Sequence, residues 1–280
     1  MSRATRADAA EALATGVGRR LEGVATFQDE GVVLRTMRLG EADRIITFVT
    51  PNHGKVRAVA KGVRKTKSKL GGRLDLMTQV SIMCWRGREL DVVTQAEIID
   101  SFRPIRENLD KMPVAFTMLE AVDQVAVERQ PMPELFRMLV GALTTLAGDG
   151  GAVLLGAFLW KLLALEGVGP VIEQCAACGE PAELVAFDEA VGGFLCRSCR
   201  SGHAVSPETV ALIRHIMGGR LRLALAEPSS RATAEVERLA TIATEYHLDR
   251  RLRSAHAGNV APARPAAAPS APQGVDTAPE

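Results

Sequence analysis

Short runs in which apolar and polar residues alternate fill the first third of the chain. Five such runs lie between Gly23 and Arg103, and they cover residues 31–38, 42–50, 55–61, 76–85 and 90–98. Glycine and proline separate them, as in residues 51–54, which read Pro-Asn-His-Gly. A period of two is typical of strands that bury one face. Five short strands joined by tight turns within roughly 80 residues predict a small closed or partly closed β-barrel.

After Arg103 the apolar residues recur every three or four positions, which is typical of amphipathic helices. Leu109, Met112 and Phe116 begin such a series, so one helix is predicted over residues 104–128. Further helices are predicted over residues 134–146, 152–166 and 231–252. Another begins at Ser206, a residue suited to the N-cap, with proline at the first helical position. Residues 152–166 are apolar nearly all round, so we expect them at the centre of a helical bundle.

The two ends of the chain differ from the rest in composition. Residues 258–280 consist largely of alanine and proline, and residues 1–24 offer little that could build a core, so both are predicted to be disordered. Between them we expect a barrel domain over residues 25–104 and a helical domain over residues 105–257. The fold class is therefore α+β with more than one domain.

No segment is predicted to enter a membrane. The most apolar run, residues 152–165, has 14 residues and includes a lysine, whereas a membrane span needs about 20. The first residues carry scattered charges and no apolar core, unlike a secretory signal. We therefore expect a cytoplasmic protein.

Four cysteines form two C-x-x-C pairs separated by 17 residues, and they are Cys175, Cys178, Cys196 and Cys199. Two such pairs at this spacing are typical of a zinc ribbon, because each pair directs two thiolates at one tetrahedral ion. Four protein ligands leave no open position, so the predicted Zn²⁺ is structural. We expect this module, residues 172–204, to be inserted in the helical domain, with Phe187 and Phe194 as its small core.

Lysine is concentrated in one short segment, although the net charge of the chain is only +1. Five of the seven lysines fall between residues 55 and 69, and no acidic residue lies between residues 55 and 73. Such a run predicts a surface that binds a polyanion. Its candidate contact residues are Lys55, Arg57, Lys61, Arg64, Lys65, Lys67, Lys69 and Arg73, with Arg35 and Arg38 on a preceding strand.

The few aromatic residues indicate how that surface would work. Aromatics make up 4% of the chain, and the barrel region holds few besides Phe48 and Trp85. Proteins that stack single-stranded bases use several exposed rings, so this surface should hold phosphates with little sequence preference. The sequence contains no Walker loop, no Gly-x-Ser-x-Gly and no His-Glu-x-x-His, so we expect no enzyme activity.

Several stretches resemble one known family. Residues 30–44 read Glu-Gly-Val-Val-Leu-Arg-Thr-Met-Arg-Leu-Gly-Glu-Ala-Asp-Arg, and residues 54–64 read Gly-Lys-Val-Arg-Ala-Val-Ala-Lys-Gly-Val-Arg. Residues 246–254 read Tyr-His-Leu-Asp-Arg-Arg-Leu-Arg-Ser. With the four cysteines, these stretches resemble the RecO family of bacterial DNA repair proteins over about residues 25–255.

The resemblance implies an OB-fold followed by a helical, zinc-bearing domain. It also implies a recombination mediator of the RecF pathway that binds single- and double-stranded DNA and anneals complementary strands. The implied partners are RecR, single-strand-binding protein and, indirectly, RecA, which is loaded onto coated strands. No catalytic residues come with the resemblance.

Two other functions fit the residues themselves. An RNA-binding or translation-related OB-fold protein would also carry a basic barrel, but it should prefer RNA in direct competition. A zinc-ribbon transcription or scaffold protein would bind other proteins, and any DNA affinity it had should survive loss of the barrel lysines.

Overall fold

A closed five-stranded barrel forms the first part of the computed structural model, which describes residues 26–256. The two ends predicted to be disordered, residues 1–24 and 258–280, lie outside the described residues. The strands are β1 Thr26–Leu39, β2 Asp43–Thr50, β3 Gly54–Ala60, β4 Gln79–Trp85 and β5 Asp91–Asp100. Their order around the barrel is β1–β2–β3–β5–β4. This OB-like barrel confirms the prediction.

The long first strand closes the barrel. Its first half pairs with β4 and its second half with β2, so one chain segment joins both edges of the sheet. Alternate residues of the strands point inward, and Ile46, Val56 and Ile82 are among those that fill the interior. Phe48 also lies fully buried there, which leaves Trp85 as the exposed one of the two barrel aromatics named above.

Eight helices and a three-stranded sheet follow within the described range. The helices are α1 Arg103–Arg106, α2 Lys111–Val125, α3 Pro133–Ala147, α4 Leu154–Leu165, α5 Pro207–Met217, α6 Leu221–Leu225, α7 Arg231–Leu248 and α8 Arg253–His256. The sheet consists of β6 Leu184–Asp188, β7 Gly193–Cys196 and β8 His203–Ala204, in the order β7–β6–β8. As predicted, the Ser206 hydroxyl caps α5 by accepting a hydrogen bond from the Thr209 backbone N–H.

The prediction of a single helix over residues 104–128 is wrong, because the chain forms α1 and α2 instead. The Asn108 side chain accepts hydrogen bonds from the backbone N–H groups of Asp110 and Lys111, which form a local turn that leads into α2. Leu109, which the sequence placed on the apolar face, lies in the break with 83% of its surface exposed. The last long helix also ends earlier than predicted, at Leu248, before Asp249 adopts a left-handed conformation.

Helix α4 lies at the centre of the helical domain, as its composition predicts. Nine of its twelve residues are buried. Gly156 allows α7 to approach closely, because a Cβ atom at this position would lie 3.0 Å from the Glu237 backbone. None of the helices between residues 26 and 256 is long and apolar enough to cross a membrane.

The two domains are joined by backbone hydrogen bonds at the turn between β2 and β3. The Lys55 N–H donates to the Val127 carbonyl at 2.9 Å, and the Met132 N–H donates to the Pro51 carbonyl at 3.0 Å. Gly54 lies between them with a φ of +61°, and a Cβ atom there would lie 2.0 Å from the Gln130 carbonyl oxygen. This close approach requires glycine, since any other residue would push the two domains apart.

We expect Gly54→Ala to lower the free energy of unfolding by about 3–4 kcal/mol, because it adds a steric clash to an unfavourable φ. Gly40→Ala is the matched control, since Gly40 has a φ of +57° but no atom within 4 Å of its added Cβ. The control should lose only about 1–2 kcal/mol. Urea denaturation measures both values, and equal losses would show that the domain junction tolerates a side chain.

Candidate nucleic-acid interface and metal centre

The loop between β3 and β4, residues 61–78, carries most of the basic run and is fixed to the end of the barrel. Val63 and Leu74 are buried in the barrel interior, and Leu70 packs against it. These apolar residues are spaced along the loop, so the chain returns to the core repeatedly while the intervening residues face water. The loop therefore closes one end of the barrel and presents its polar residues at fixed positions.

The exposed lysines of this loop have no acidic partner in the part of the chain that the structure describes. Lys61, Lys65, Lys67 and Lys69 are all exposed. Within residues 26–256, no carboxylate oxygen lies within 4.0 Å of any of their ammonium groups. Four uncompensated charges held close together along the chain raise the local potential that attracts anions.

Two arginines of the run instead hold the loop in place. Arg64 donates from its guanidinium to the Glu41 carbonyl at 2.7 Å, which ties the loop to the β1–β2 turn. Arg73 donates to the Ala96 carbonyl on β5 at 3.0 Å. Both side chains remain exposed, so these hydrogen bonds leave room for a further anionic contact.

Three predicted site residues lie at the junction of the domains. The Lys55 ammonium lies 3.4 Å from an Asp123 carboxylate oxygen and also donates to the Asp123 carbonyl, and its side chain is only 16% exposed. Arg35 lies 3.9 Å from the same carboxylate but is more exposed, and Arg57 lies 3.8 Å from Glu128. Lys55 is thus engaged by helix α2, whereas Arg35 and Arg57 face solvent beside the junction.

An apolar row crosses the outer face of the barrel next to these arginines. Met37, Ile45, Val59, Val92 and Trp85 are successive cross-strand neighbours. Met37 and Trp85 are each more than 40% exposed. The adjacent row carries Arg35, Thr47 and Arg57 on the same face, and Arg38 is exposed near the end of β1.

Two exposed cations that the sequence analysis did not assign to the site are Arg86 and Arg88, in the turn between β4 and β5. The Arg86 guanidinium lies 5.2 Å from the centre of the Phe27 ring. The sequence contains the signal, since both arginines flank Gly87, but they are remote in sequence from the lysine run. In OB-folds this turn borders the face that binds oligonucleotides.

The four cysteines converge on one point in the helical domain. The sulfur atoms of Cys175, Cys178, Cys196 and Cys199 all lie within 4.8 Å of one another, and those of Cys178 and Cys196 are 4.0 Å apart. A group of four thiols so close together fits the donor set of a tetrahedral metal ion. His203 belongs to no such group, and its Nε2 lies 3.4 Å from a Glu189 carboxylate oxygen.

The backbone around the cysteines favours ionised sulfur at one of them. The Cys196 N–H points at the Cys175 sulfur at 3.4 Å. This contact and a second hydrogen bond, from the Cys178 backbone N–H, lower the pKa of Cys175 to about 6. Hydrogen bonding with the Cys196 thiol raises the pKa of Cys199. The cluster would therefore need a cation to hold all four groups as thiolates.

The metal-binding ribbon shares its core with the helical bundle. Phe187 and Phe194 pack against each other with ring centres 5.1 Å apart, as the sequence predicts. Trp160 of α4 packs edge-on against Phe187 at 5.5 Å and contacts Phe194 at 6.4 Å. All three rings belong to the one large core cluster that includes the buried residues of the helical bundle. The ribbon is therefore supported by α4 as well as by the cysteines.

The protein combines an OB-like barrel that carries a basic loop with a helical domain that carries a four-cysteine centre. This combination defines a class of two-domain proteins, and sequence comparisons identify the family. The chain belongs to the RecO family. The family model described as "Recombination protein O N terminal" matches residues 24–102, and "Recombination protein O C terminal" matches residues 106–256.

Curated relatives support this assignment. A protein of Frankia casuarinae described as "DNA repair protein RecO" is 43% identical over 234 residues, which cover 81% of this chain and 96% of the relative. A Nocardioides protein of the same description is 40% identical over 81% of this chain and 97% of its own length. One from Cutibacterium acnes is 37% identical over 82% of this chain and 97% of its own length.

We expect the protein to bind one divalent metal ion per chain and to release it on acidification, because protons compete for the thiolates. Cys196→Ser should abolish binding and lower the midpoint of thermal unfolding. Cys84→Ala is the control, since Cys84 is buried in the barrel, where burial raises its thiol pKa to about 12. Elemental analysis and thermal scans of both variants measure the effect. Metal loss in the Cys84 variant, or full metal content in the Cys196 variant, would contradict the assignment.

Proposed function

We propose that this protein is a recombination mediator in DNA repair that binds single- and double-stranded DNA through the barrel. The observation that carries the proposal is the set of four exposed lysines between residues 61 and 69 of the anchored loop, which form no ion pair with a carboxylate of residues 26–256. Membership of the RecO family supports the same conclusion. A fixed group of flexible, strongly hydrated ammonium groups suits phosphates spaced along a backbone.

The proposed path of the DNA crosses the outer face of β2 and β3. Lys61, Lys65, Lys67 and Lys69 would contact phosphates at one end, with Arg38, Arg64 and Arg73 beside them. Arg35 and Arg57 would contact the backbone further along the face. The apolar row with Met37 and Trp85 lies between these cations, where it could contact bases exposed on a single strand. Lys55 would contribute mainly by holding the face against α2.

This arrangement supports binding with little sequence preference. Phosphate contacts carry no sequence information. In proteins that stack bases on aromatic side chains, each stacked base contributes about 1–3 kcal/mol, as measured by alanine substitution of the ring. Trp85 supplies one exposed ring to the row, so phosphate contacts should dominate the affinity. A basic surface that neutralises phosphates would also reduce repulsion between two strands, which favours annealing.

We propose that the metal in the cysteine cluster is one Zn²⁺ with a structural role. Four sulfur donors and tetrahedral geometry favour zinc among common divalent ions. No coordination position remains for a substrate. In isolated zinc-finger peptides, metal binding supplies about 10–16 kcal/mol of folding free energy. The contribution should be smaller here, because Trp160 supports the ribbon from α4.

The proposed partners follow from family membership. They are RecR, single-strand-binding protein and, indirectly, RecA, whose loading the protein would assist without catalysing a chemical step. We propose that the protein acts in the bacterial cytoplasm, in association with DNA.

We expect the combined change of Lys61, Lys65, Lys67 and Lys69 to alanine to weaken DNA binding and to flatten its salt dependence. Each lost phosphate contact should reduce the log–log salt slope by roughly 0.7–0.9, so four contacts correspond to a reduction of about 3. Fluorescence anisotropy with labelled single- and double-stranded DNA across a salt series measures the slope.

A matched control changes four exposed arginines of the second domain to alanine, namely Arg197, Arg200, Arg220 and Arg222. It removes the same charge and should leave the slope nearly unchanged. Lys55→Met should lower the free energy of unfolding but change the salt slope only slightly. An equal effect of the lysine and arginine variants would mean that net charge, and not the barrel loop, sets the affinity.

Charge reversal tests annealing separately. We expect the variant with Lys65, Lys67 and Lys69 changed to glutamate to lose most annealing of complementary oligonucleotides, because the reversed loop would repel both strands. Stopped-flow fluorescence with donor- and acceptor-labelled strands measures the rate. Unchanged annealing would refute a role for the loop, and a clear preference for RNA in competition would favour an RNA-binding function.

A further inference from the structure

A cleft between the barrel and the helical domain lies beside the proposed DNA path. Its volume is about 380 Å³. Strand β1 and the end of the β3–β4 loop line one side, and helix α2 lines the other. Arg250, Arg253 and Ser254 also line it. These three belong to the stretch of residues 246–254 that resembles the family, and the DNA path proposed above does not use them.

Two arginines from distant parts of the chain meet at neighbouring side chains of α2. A guanidinium nitrogen of Arg35 lies 3.9 Å from a carboxylate oxygen of Asp123. The Arg250 guanidinium donates a hydrogen bond of 3.0 Å to the side-chain oxygen of Gln124. Asp123 and Gln124 both line the cleft. The two guanidinium groups are therefore held close to the cleft by consecutive residues of one helix.

The cleft holds more positive charge than Asp123 can neutralise. This carboxylate is shared between Arg35 and Lys55, whose ammonium lies 3.4 Å from its other oxygen. Among residues 26–256, no carboxylate oxygen lies within 4.0 Å of the guanidinium group of Arg250 or Arg253. Both arginines are exposed. Such a surplus of positive charge in a cleft attracts an anion.

Glu120, the other acidic residue of the cleft, is engaged by the main chain. Its two carboxylate oxygens accept hydrogen bonds from the backbone N–H groups of Arg253 and Ser254, at 3.1 and 2.8 Å. These bonds fasten the start of α8 to α2. The Arg253 side chain therefore extends from a fixed point of the backbone, while the carboxylate nearest to that point is already occupied.

Apolar side chains complete the cleft. Leu34 and Leu119 are buried, whereas Leu76 and Phe116 are only partly buried. A partly exposed aromatic ring beside a row of cations can contact an unstacked base while the cations hold phosphates. The bases of a duplex are paired and stacked inside it, so this combination favours a single strand.

We propose that this cleft binds the backbone of a single DNA strand where the strand leaves the outer face of the barrel. Arg250 and Arg253 contact phosphates together with Arg35, and Phe116 contacts an unstacked base. An acidic peptide would also meet these cations, but Arg35 lies both in the cleft and on the proposed DNA path, so the two surfaces are continuous. The inference rests on the proposed function, because the strand in the cleft is the one that the barrel holds.

Photo-crosslinking of the wild-type protein locates the strand directly. A single-stranded oligonucleotide in which 5-bromouracil replaces thymine is bound, irradiated and digested with trypsin, and mass spectrometry identifies the attached residue. We expect attachment at Phe116, in the tryptic peptide of residues 112–129, and none there with the corresponding duplex. Phe116→Leu should remove this attachment. Attachment confined to the barrel, or equal attachment of the duplex at Phe116, would overturn the proposal.

The salt dependence of binding tests the arginines. Arg250→Gln combined with Arg253→Gln should reduce the log–log salt slope for single strands by about 1.4, since each lost phosphate contact contributes about 0.7. The matched control, Arg197→Gln combined with Arg200→Gln, removes the same charge from exposed positions outside the cleft and should leave the slope nearly unchanged. Equal slopes for the two double variants would contradict a role for the cleft.

These experiments distinguish failure of the cleft from failure of the proposed function. A reduced slope in the variant without the four loop lysines, with an unchanged slope in the Arg250 and Arg253 variant, would exclude the cleft and retain the barrel surface. Wild-type protein that does not bind DNA would refute both. The blocked peptide acetyl-Asp-Leu-Asp-Leu-amide should leave attachment at Phe116 intact. If it removed that attachment while attachment to the barrel persisted, the cleft would bind an acidic partner protein and the proposal would be wrong.

Discussion

Contact between the β2–β3 turn and residues 127–132 fixes the barrel against the helical domain, and the orientation of the basic face depends on it. The contact is made by backbone atoms, so it requires two chain segments to approach more closely than side chains allow. Gly54 meets this requirement in a conformation that other residues rarely adopt. Hydrogen bonds flank the glycine on both sides, and Val32, Leu34 and Val49 of the barrel belong to the same core cluster as the helical bundle, so backbone geometry and apolar burial together define the junction.

The same junction divides the cations of the barrel into two groups. Asp123 of α2 lies within 4 Å of both Arg35 and Lys55, and it engages Lys55 where both side chains are largely buried. A buried ion pair gains little over apolar packing, but removing one partner is costly. The lysines of the β3–β4 loop form no ion pair with a carboxylate among residues 26–256. Lys55 is therefore engaged within the fold, whereas the loop lysines remain available.

Much of this organisation could be predicted from the sequence, because it depends on local pattern. Period-two alternation predicts the barrel strands, and the spacing of Cys175 to Cys199 predicts their convergence. The break at Asn108 is not evident from the apolar periodicity, since it depends on a local side-chain-to-backbone turn. The engagement of Lys55 by Asp123 and the contribution of Trp160 to the ribbon core link residues far apart in sequence. Those contacts become visible only once the chain has folded.

The residues that anchor the β3–β4 loop are different from the residues that carry its charge. Val63, Leu70 and Leu74 hold the loop in the barrel, while the lysines between them make no ion pair within the described chain. Lysines can therefore be added, removed or exchanged one at a time without loss of core packing. If the loop contacts DNA as proposed, the number of its lysines would set the lifetime of the protein–DNA complex in small steps, while the barrel scaffold stays the same.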